Sequence, residues 1–323
     1  MKEFAIIKKY IEPLANNKES LGLKDDVAII PKNSTTDYVV SKDGITEGVH
    51  FPNNYPAKYI ARRLIRSNLS DLASSGAVPK YYLLFTSLTK NIKEPWIKAF
   101  YAELALEQKK WGVKLIGGDS IKNLSNQITL SLTIMGEVPK NKAMLRFQAE
   151  VGDDIFVTGT IGNAFVGLKM ILGEIKQKTK EGDNYFLRAF NNFTPPVEFA
   201  HLIAKKSLSK CAIDVSDGFL ADLLHILENS NKGATIYLEK IPLSVKAKKL
   251  ASIEDLLSGG DDYQIIFTAN AKNEKKLLEI AKKTNTKISK IGKIEGKKGS
   301  SNPLHIIDNK GKKIEFTKLG YSH

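Results

Sequence analysis

The sequence predicts an α+β fold in two units, and three observations carry that expectation. Strand-length and helix-length segments follow one another without the regular alternation of a parallel sheet. At 323 residues the chain has room for two ordinary domains, each with its own core. The run "KNKAMLRFQAEVGD" separates two stretches that each contain strands and helices. The boundary is expected between Pro139 and Gly152, giving units 1–142 and 143–323.

Taken in order, "MKEFAIIKKYIEPLA" reads as a short amphipathic helix, too interrupted for a signal peptide or a membrane span. "DVAIIP" and "DYVVSKD" read as strands, and "AKYIARRLIRSNLSDLASSG" as a helix ending at Gly76. A strand at "KYYLLFTSL", a helix from Glu94 to Trp111, the segment "KLIGGDS" and the strand "QITLSLTIMGEV" complete the first unit. The second opens with the strand "DIFVTG", the turn "GTIG" and an apolar helix through "LKMIL". A polar helical excursion follows between Gly173 and Asn192, then a helix from "PPVEFAHLIAKK", its prolines at a helix start. "AIDVSDGFLADLLHIL" reads as strand, turn and helix, and "YQIIFTAN" and "KISKIGKIEG" as strands.

The formal charge of +14 invites a nucleic-acid reading, but only Arg62, Arg63, Arg66, Arg146 and Arg188 are arginine. Base-edge and bidentate phosphate recognition favours arginine, so the scattered lysines read as solvated surface and no nucleic-acid partner is expected. The single cysteine, Cys211, excludes an internal disulfide, and no Cys/His cluster has zinc spacing. A reduced, cytoplasmic setting without a membrane partner is expected.

The charges that matter are the carboxylates. Asp25 and Asp26, Asp43 in "SKDGITEGVHF", Asp71 in "SNLSDLASSGA", Asp119 in "LIGGDS", Asp214 and Asp217 in "AIDVSDG", and Asp261 and Asp262 in "SGGDDY" all sit in turns at strand ends or helix edges. Any one of them is explained by a turn or by a helix cap. Together they suit a hard divalent cation, which needs several converging oxygen ligands. Mg²⁺ would relieve their mutual repulsion and points to ATP chemistry. Neither a P-loop nor a protein-kinase motif set is present. The glycines of "VTGTIGNAFVGLK" suit either phosphate binding by backbone N–H groups or tight packing.

In this order and spacing, "KDDVAII", "DGITEGVHF", "NLSDLASSGAVP", "LIGGDS", "AIDVSDGFLADLLHI" and "SGGDDYQIIFT" resemble the thiamine-monophosphate kinase family, related to aminoimidazole ribonucleotide synthetase and selenophosphate synthetase. The resemblance implies a first domain whose sheet pairs across a homodimer, and a second that closes over the active site. It also implies Mg²⁺-dependent transfer of the ATP γ-phosphoryl group to thiamine monophosphate. By motif position, Asp26, Asp43, Asp71, Asp119, Asp214 and Asp217 would be metal ligands, with Asp71 shared between ions. Gly118, Asp119, Arg146 and Ser216 would contact ATP, and His50, Asp261 and Tyr321 would face thiamine monophosphate. Asp71, Asp119 and Arg146 are the expected catalytic set.

The acceptor phosphate has a second pKa of about 6 and is largely ionised at neutral pH, so in-line attack needs no general base. Arg146 is the natural fork for phosphate. His50 also suits a core position, Tyr321 a packing role, His225 a structural role, and Asp222 a local cap. The chain departs from the family pattern at Lys24, at Lys42 (which could replace one cation's charge and so lower the number of Mg²⁺ ions, or point outward and do nothing), at Asp261 in place of glutamate, and in the tail "KLGYSH". A related synthetase or a non-catalytic nucleotide-binding relative remain the alternative readings.

Overall fold

The computed structural model describes residues 7–15, 17–176, 180–297 and 303–320, with backbone only for 180–184. The first half of the chain builds a five-stranded sheet. Its strands are β1 (Ala28–Pro31), β2 (Thr36–Thr46), β3 (Val78–Thr89), β4 (Lys114–Asn123) and β5 (Thr129–Pro139), in spatial order β1-β2-β5-β3-β4. All neighbours are antiparallel except β3 and β4. Alternation makes each strand two-faced: in β2 the odd-numbered Asp37, Val39 and Ser41 are buried, while Lys42 is exposed on the other face. The inner face packs on helices α1 (Ala57–Ser74) and α2 (Glu94–Trp111), with Ile60, Leu64, Leu69, Leu132 and Ile134 in one core.

Helix α1 is buried almost all round, because its polar face is also covered. Arg63, Arg66, Ser67, Asn68, Ser70 and Asp71 are each at most 7% exposed. A helix this polar is buried stably only where partners satisfy its groups. Arg66 shows how: Nε and Nη2 donate to both carboxylate oxygens of Glu107 on α2, at 2.7 and 2.6 Å, and Nη1 donates to Asn192 Oδ1 and the Phe193 carbonyl at 2.8 and 2.6 Å.

The second half builds a seven-stranded sheet from β6 (Asp154–Thr158), β7 (Cys211–Asp214), β8 (Lys232–Tyr237), β9 (Ile265–Ala269), β10 (Ile288–Gly296), β11 (Leu304–Ile307) and β12 (Lys313–Ile314), in order β12-β11-β8-β10-β6-β9-β7. Helices α3 (Asn163–Ile171), α4 (Lys180–Asn191), α5 (Val197–Lys205), α6 (Phe219–Ser230), α7 (Val245–Lys248), α8 (Ile253–Ser258) and α9 (Glu274–Lys283) surround it. Ala73 from α1 joins Phe156, Phe199, Ile203 and Phe267 in one apolar cluster, so the two halves share packed surface.

Some expectations need correction. Residues 7–15 form irregular single turns around Pro13 and not an amphipathic α-helix; residues 1–6 lie outside the described part. The first strand starts at Ala28, which leaves Asp25 and Asp26 in a loop. Strands β8, β11 and β12 and helix α9 were not anticipated. The polar excursion is helical over residues 180–191. Among the described residues no helix is long and apolar enough to cross a membrane.

Candidate active site

Five elements converge where the two halves meet. Asp26 comes from the loop before β1, Asp71 from α1 and Asp214 from the end of β7, and one carboxylate oxygen from each lies within 4.8 Å of the others. Asp71 and Asp214 are buried and Asp26 is exposed at the rim. Asp43 from β2 and Asp217 from the turn after β7 stand beside them, close enough that the charge of Asp217 pushes the Asp43 carboxyl up, after burial itself. Burial, with the charges of Asp43 and Asp214, raises Asp71 well above the usual carboxylate range. Burial raises Asp214 to about 6, helped by the charge of Asp43.

The surrounding hydrogen bonds hold this convergence in place. Ser41 Oγ donates to Asp71 Oδ2 at 2.5 Å and to the Asp26 carbonyl at 3.1 Å, tying β2, α1 and the loop together. Asn68 Oδ1 accepts the Asp43 N–H at 3.2 Å. Asp222 Oδ2 accepts from Ser216, Asp217 and Gly218 N–H at 3.1 to 3.3 Å. Asp222 thus shapes the turn that carries Asp217 and takes the capping role open to it in the sequence. Arg146 ion-pairs with Asp26, and its N–H donates to Asp25 Oδ2 at 2.8 Å. Ser41 and Asn68 escape motif reading; their one signal is polarity at buried positions of β2 and α1.

The donor set fits a hard divalent cation. Asp214 Oδ2 is buried with no hydrogen-bond partner among the described residues, and an anionic oxygen so placed is costly unless a cation faces it.

Asp119 is not part of this group. It lies exposed on β4, opposite Phe85 of β3, and Phe85 is opposite Ser131 and Ser131 opposite Gly44. Three strand spacings of about 4.8 Å therefore separate its register position from β2. Gly118 precedes it, and a Cβ there would stand 1.9 Å from the Leu84 carbonyl oxygen, so strand contact alone requires glycine.

Beyond Ser216, Asp261 has φ of 72° and its carboxylate accepts from Arg63 Nη1 at 2.5 Å. The Asp261 N–H donates to the Ser216 carbonyl at 2.8 Å. Gly260 permits this approach, because a Cβ would lie 2.0 Å from the same oxygen. His50 is half-buried in the turn after β2, outside the cores, and its Nδ1 accepts the Thr46 N–H at 3.1 Å. Tyr321 lies outside the described residues.

Two family models match the chain: AIR synthase related protein, N-terminal domain, over residues 24–138, and AIR synthase related protein, C-terminal domain, over residues 150–302. The thiamine-monophosphate kinase of Buchnera aphidicola subsp. Acyrthosiphon pisum is 36% identical, covering 99% of this chain and 98% of its own. The thiamine-monophosphate kinase of Haemophilus influenzae is 33% identical, covering 100% and 98%. The chain belongs to the thiamine-monophosphate kinase family. A solved structure of the same kind, AaThiL complexed with AMPPCP and TMP, superposes with a TM-score of 0.82 at 26% identity, covering 99% of this chain and 97% of the other.

Within the thiamine-monophosphate kinase family pattern, the departure at Lys42 has a structural explanation. Lys42 is on the face of β2 opposite Asp43, and its Nζ donates to Ser131 Oγ at 2.7 Å. Its ammonium therefore points away from the carboxylates, and the expectation that it replaces a cation is withdrawn. Lys24 is exposed. The shorter side chain at Asp261 meets the long one of Arg63.

Proposed function

We propose that this chain transfers the γ-phosphoryl group of ATP to the phosphate of thiamine monophosphate, giving thiamine diphosphate and ADP. The observation that carries the reading is the convergence of Asp26, Asp71 and Asp214 from three separate elements, in a chain with full-length similarity to kinases of this name. These three residues, with Asp43 and Asp217 beside them, would hold Mg²⁺. Bound there, the ion supplies charge neutralisation for donor and acceptor phosphate oxygens.

The remaining chemistry is positional. An oxygen of the acceptor phosphate attacks Pγ in line; the new O–P bond forms as the bond from Pγ to the bridging oxygen breaks, and ADP leaves with that electron pair. The acceptor is already ionised near neutrality, so no side chain must remove a proton. Arg146 Nε is buried with no hydrogen-bond partner among the described residues, and a phosphate oxygen is the acceptor this guanidinium lacks. Ser216 stands between the carboxylates and Asp261, where ATP and the second substrate would meet, and His50 and Tyr321 remain assigned to the substrate side by motif position.

Asp119 and Gly118 fit the same reading through a second copy of the chain. Edge strand β4 is exposed along nearly its whole length, with Leu115, Ile116 and Ile121 at 45 to 53% exposure beside Tyr81 and Leu83 of β3. An uncovered apolar edge of this kind is normally paired or covered. A homodimer through this face would cover it and carry Asp119 to its place, with 1–142 as the dimerising unit and 143–323 closing the site.

The test is product analysis after incubation with ATP, MgCl₂ and thiamine monophosphate. Thiamine diphosphate and ADP are expected in equal amounts, and an Asp71→Asn variant should form neither. ATP binding without thiamine diphosphate would contradict the proposal.

A further inference from the structure

We infer that a cavity behind the Arg146 segment is a second ligand site, taking a small organic phosphate monoester apart from the proposed catalytic centre. The cavity measures about 580 Å³, a size typical of small-molecule sites. It lies at the opposite end of β7 from the carboxylates. Lys210, just before Cys211, lines it, whereas Asp214 ends the strand roughly 10 Å beyond Cys211 at about 3.3 Å per residue. The segment joining the two sheets divides the two places: Arg146 ion-pairs with Asp26, while Phe147 and Gln148 line the cavity.

The charge of the cavity wall is positive and is not neutralised from within. Lys142, Lys210 and Lys232 line it against one carboxylate, Glu150, and that carboxylate pairs with Lys210 at 2.9 Å. Lys142 Nζ donates to the neutral Ser207 Oγ at 2.5 Å, and Lys232 is half-buried without an ion pair among the described residues. Two ammonium groups therefore lack a counter-charge, and partial burial makes that costly. A phosphate monoester, with a second pKa of about 6, is close to a dianion at neutral pH and matches them. Neutral donors stand beside the lysines. Ser207 Oγ accepts from Lys142 and keeps its own proton to donate, and the Gln148 amide makes no hydrogen bond among the described residues.

The rest of the wall selects an organic phosphate over the inorganic ion. Phe147 presents a ring, and Ala143, Ala149 and Ala204 present small apolar surfaces. The buried hydroxyls are already engaged: Ser209 Oγ donates to the Cys211 carbonyl at 3.0 Å and Ser230 Oγ to that of Arg146 at 3.3 Å. Inorganic phosphate meets the lysines alone, whereas a monoester carrying a ring also covers the apolar wall.

The test is calorimetric titration of the full chain with phenyl phosphate in EDTA, where the carboxylate cluster holds no cation and repels anions. One site per chain is expected, with an affinity at least threefold tighter than for inorganic phosphate. Lys142→Gln and Lys232→Gln should each weaken phenyl phosphate at least fivefold. Lys310→Gln, exposed in the turn between β11 and β12, should change it by less than twofold, and melting curves of all three variants verify folding. No binding, equal affinity for inorganic phosphate, or equal weakening by Lys310→Gln overturns the site. Displacement of phenyl phosphate by a non-hydrolysable ATP analogue in MgCl₂ would put the ligand at the catalytic centre and overturn it as well.

Discussion

Arg63 and Asp261, 198 residues apart in sequence, form an ion pair at 2.5 Å that ties helix α1 to the loop before β9. The guanidinium lies over Phe190 at 4.2 Å from the ring centroid, and its Nη2 is buried with no hydrogen-bond partner among the described residues. The same helix carries Asp71 about two turns further on, roughly 12 Å at 1.5 Å per residue. One rigid element thus sets the separation between the carboxylates proposed for cations and the carboxylate proposed for the substrate.

Replacing Arg63 by methionine should therefore raise the KM for thiamine monophosphate roughly tenfold and leave that for ATP nearly unchanged, with Arg63→Lys recovering part of the loss. Steady-state kinetics with each substrate varied in turn checks this. Equal increases in both constants would mean that Arg63 only supports the fold.

The Arg66–Glu107 pair is a stability element. Both side chains are at most 4% exposed, and Arg66 also grips the segment after α4. Removing one partner leaves the other charge buried and uncompensated, at a cost of about 3–5 kcal/mol. Arg66→Met should lower the free energy of unfolding by that amount in urea titration; a loss under about 1 kcal/mol would show that the site relaxes.

Cys211, on β7, reports on the core of the second half. Its thiol is buried, donates to the Arg146 carbonyl at 3.5 Å, and is pushed up by burial to about 12. A raised pKa favours the protonated form in the fold, so this contribution to stability is complete below the ordinary value near 9.0 and fades as pH rises toward 12. Native protein should resist a thiol reagent from pH 7 to pH 9 and react fully once unfolded in denaturant. Rapid labelling of native protein at pH 8 would contradict this.

Self-association should depend on the edge of the first sheet. Ile121 is 45% exposed on β4, and Ile121→Asp places a charge on that apolar surface. Sedimentation should give a dimer for the wild type and a monomer for the variant, with melting temperatures close to one another. A wild-type monomer would remove the route by which Asp119 reaches the site.

Much of the first sheet was legible because β2 and β5 alternate, β3 is a long run of strand-forming residues, and α1 and α2 have helical apolar spacing. The aspartates stood out by their number and order, but the expectation that all of them occupy turns needs correction, since Asp43 lies within β2, Asp71 within α1 and Asp119 within β4. Other features were hidden for physical reasons. β8 is only six residues long, too few for a period to show, whereas α9 carries Leu277, Ile280 and Ala281 at helical spacing and was legible but missed. The roles of Ser41 and Asn68 depend on which elements meet in space. The same holds for Asp119: its motif sits on an exposed edge strand, and the sequence cannot show that three strand spacings separate it from β2 within one chain.

The claim at the centre of this account is that the carboxylates converge to hold cations, and the cations to hold phosphates. The most direct measurement is the melting temperature with a non-hydrolysable ATP analogue, with and without Mg²⁺, in the wild type and in Asp71→Asn and Asp214→Asn. The account predicts that the analogue stabilises the wild type by several degrees only when Mg²⁺ is present, and that either substitution abolishes this increment. Stabilisation of equal size without Mg²⁺, or in the variants, would contradict it.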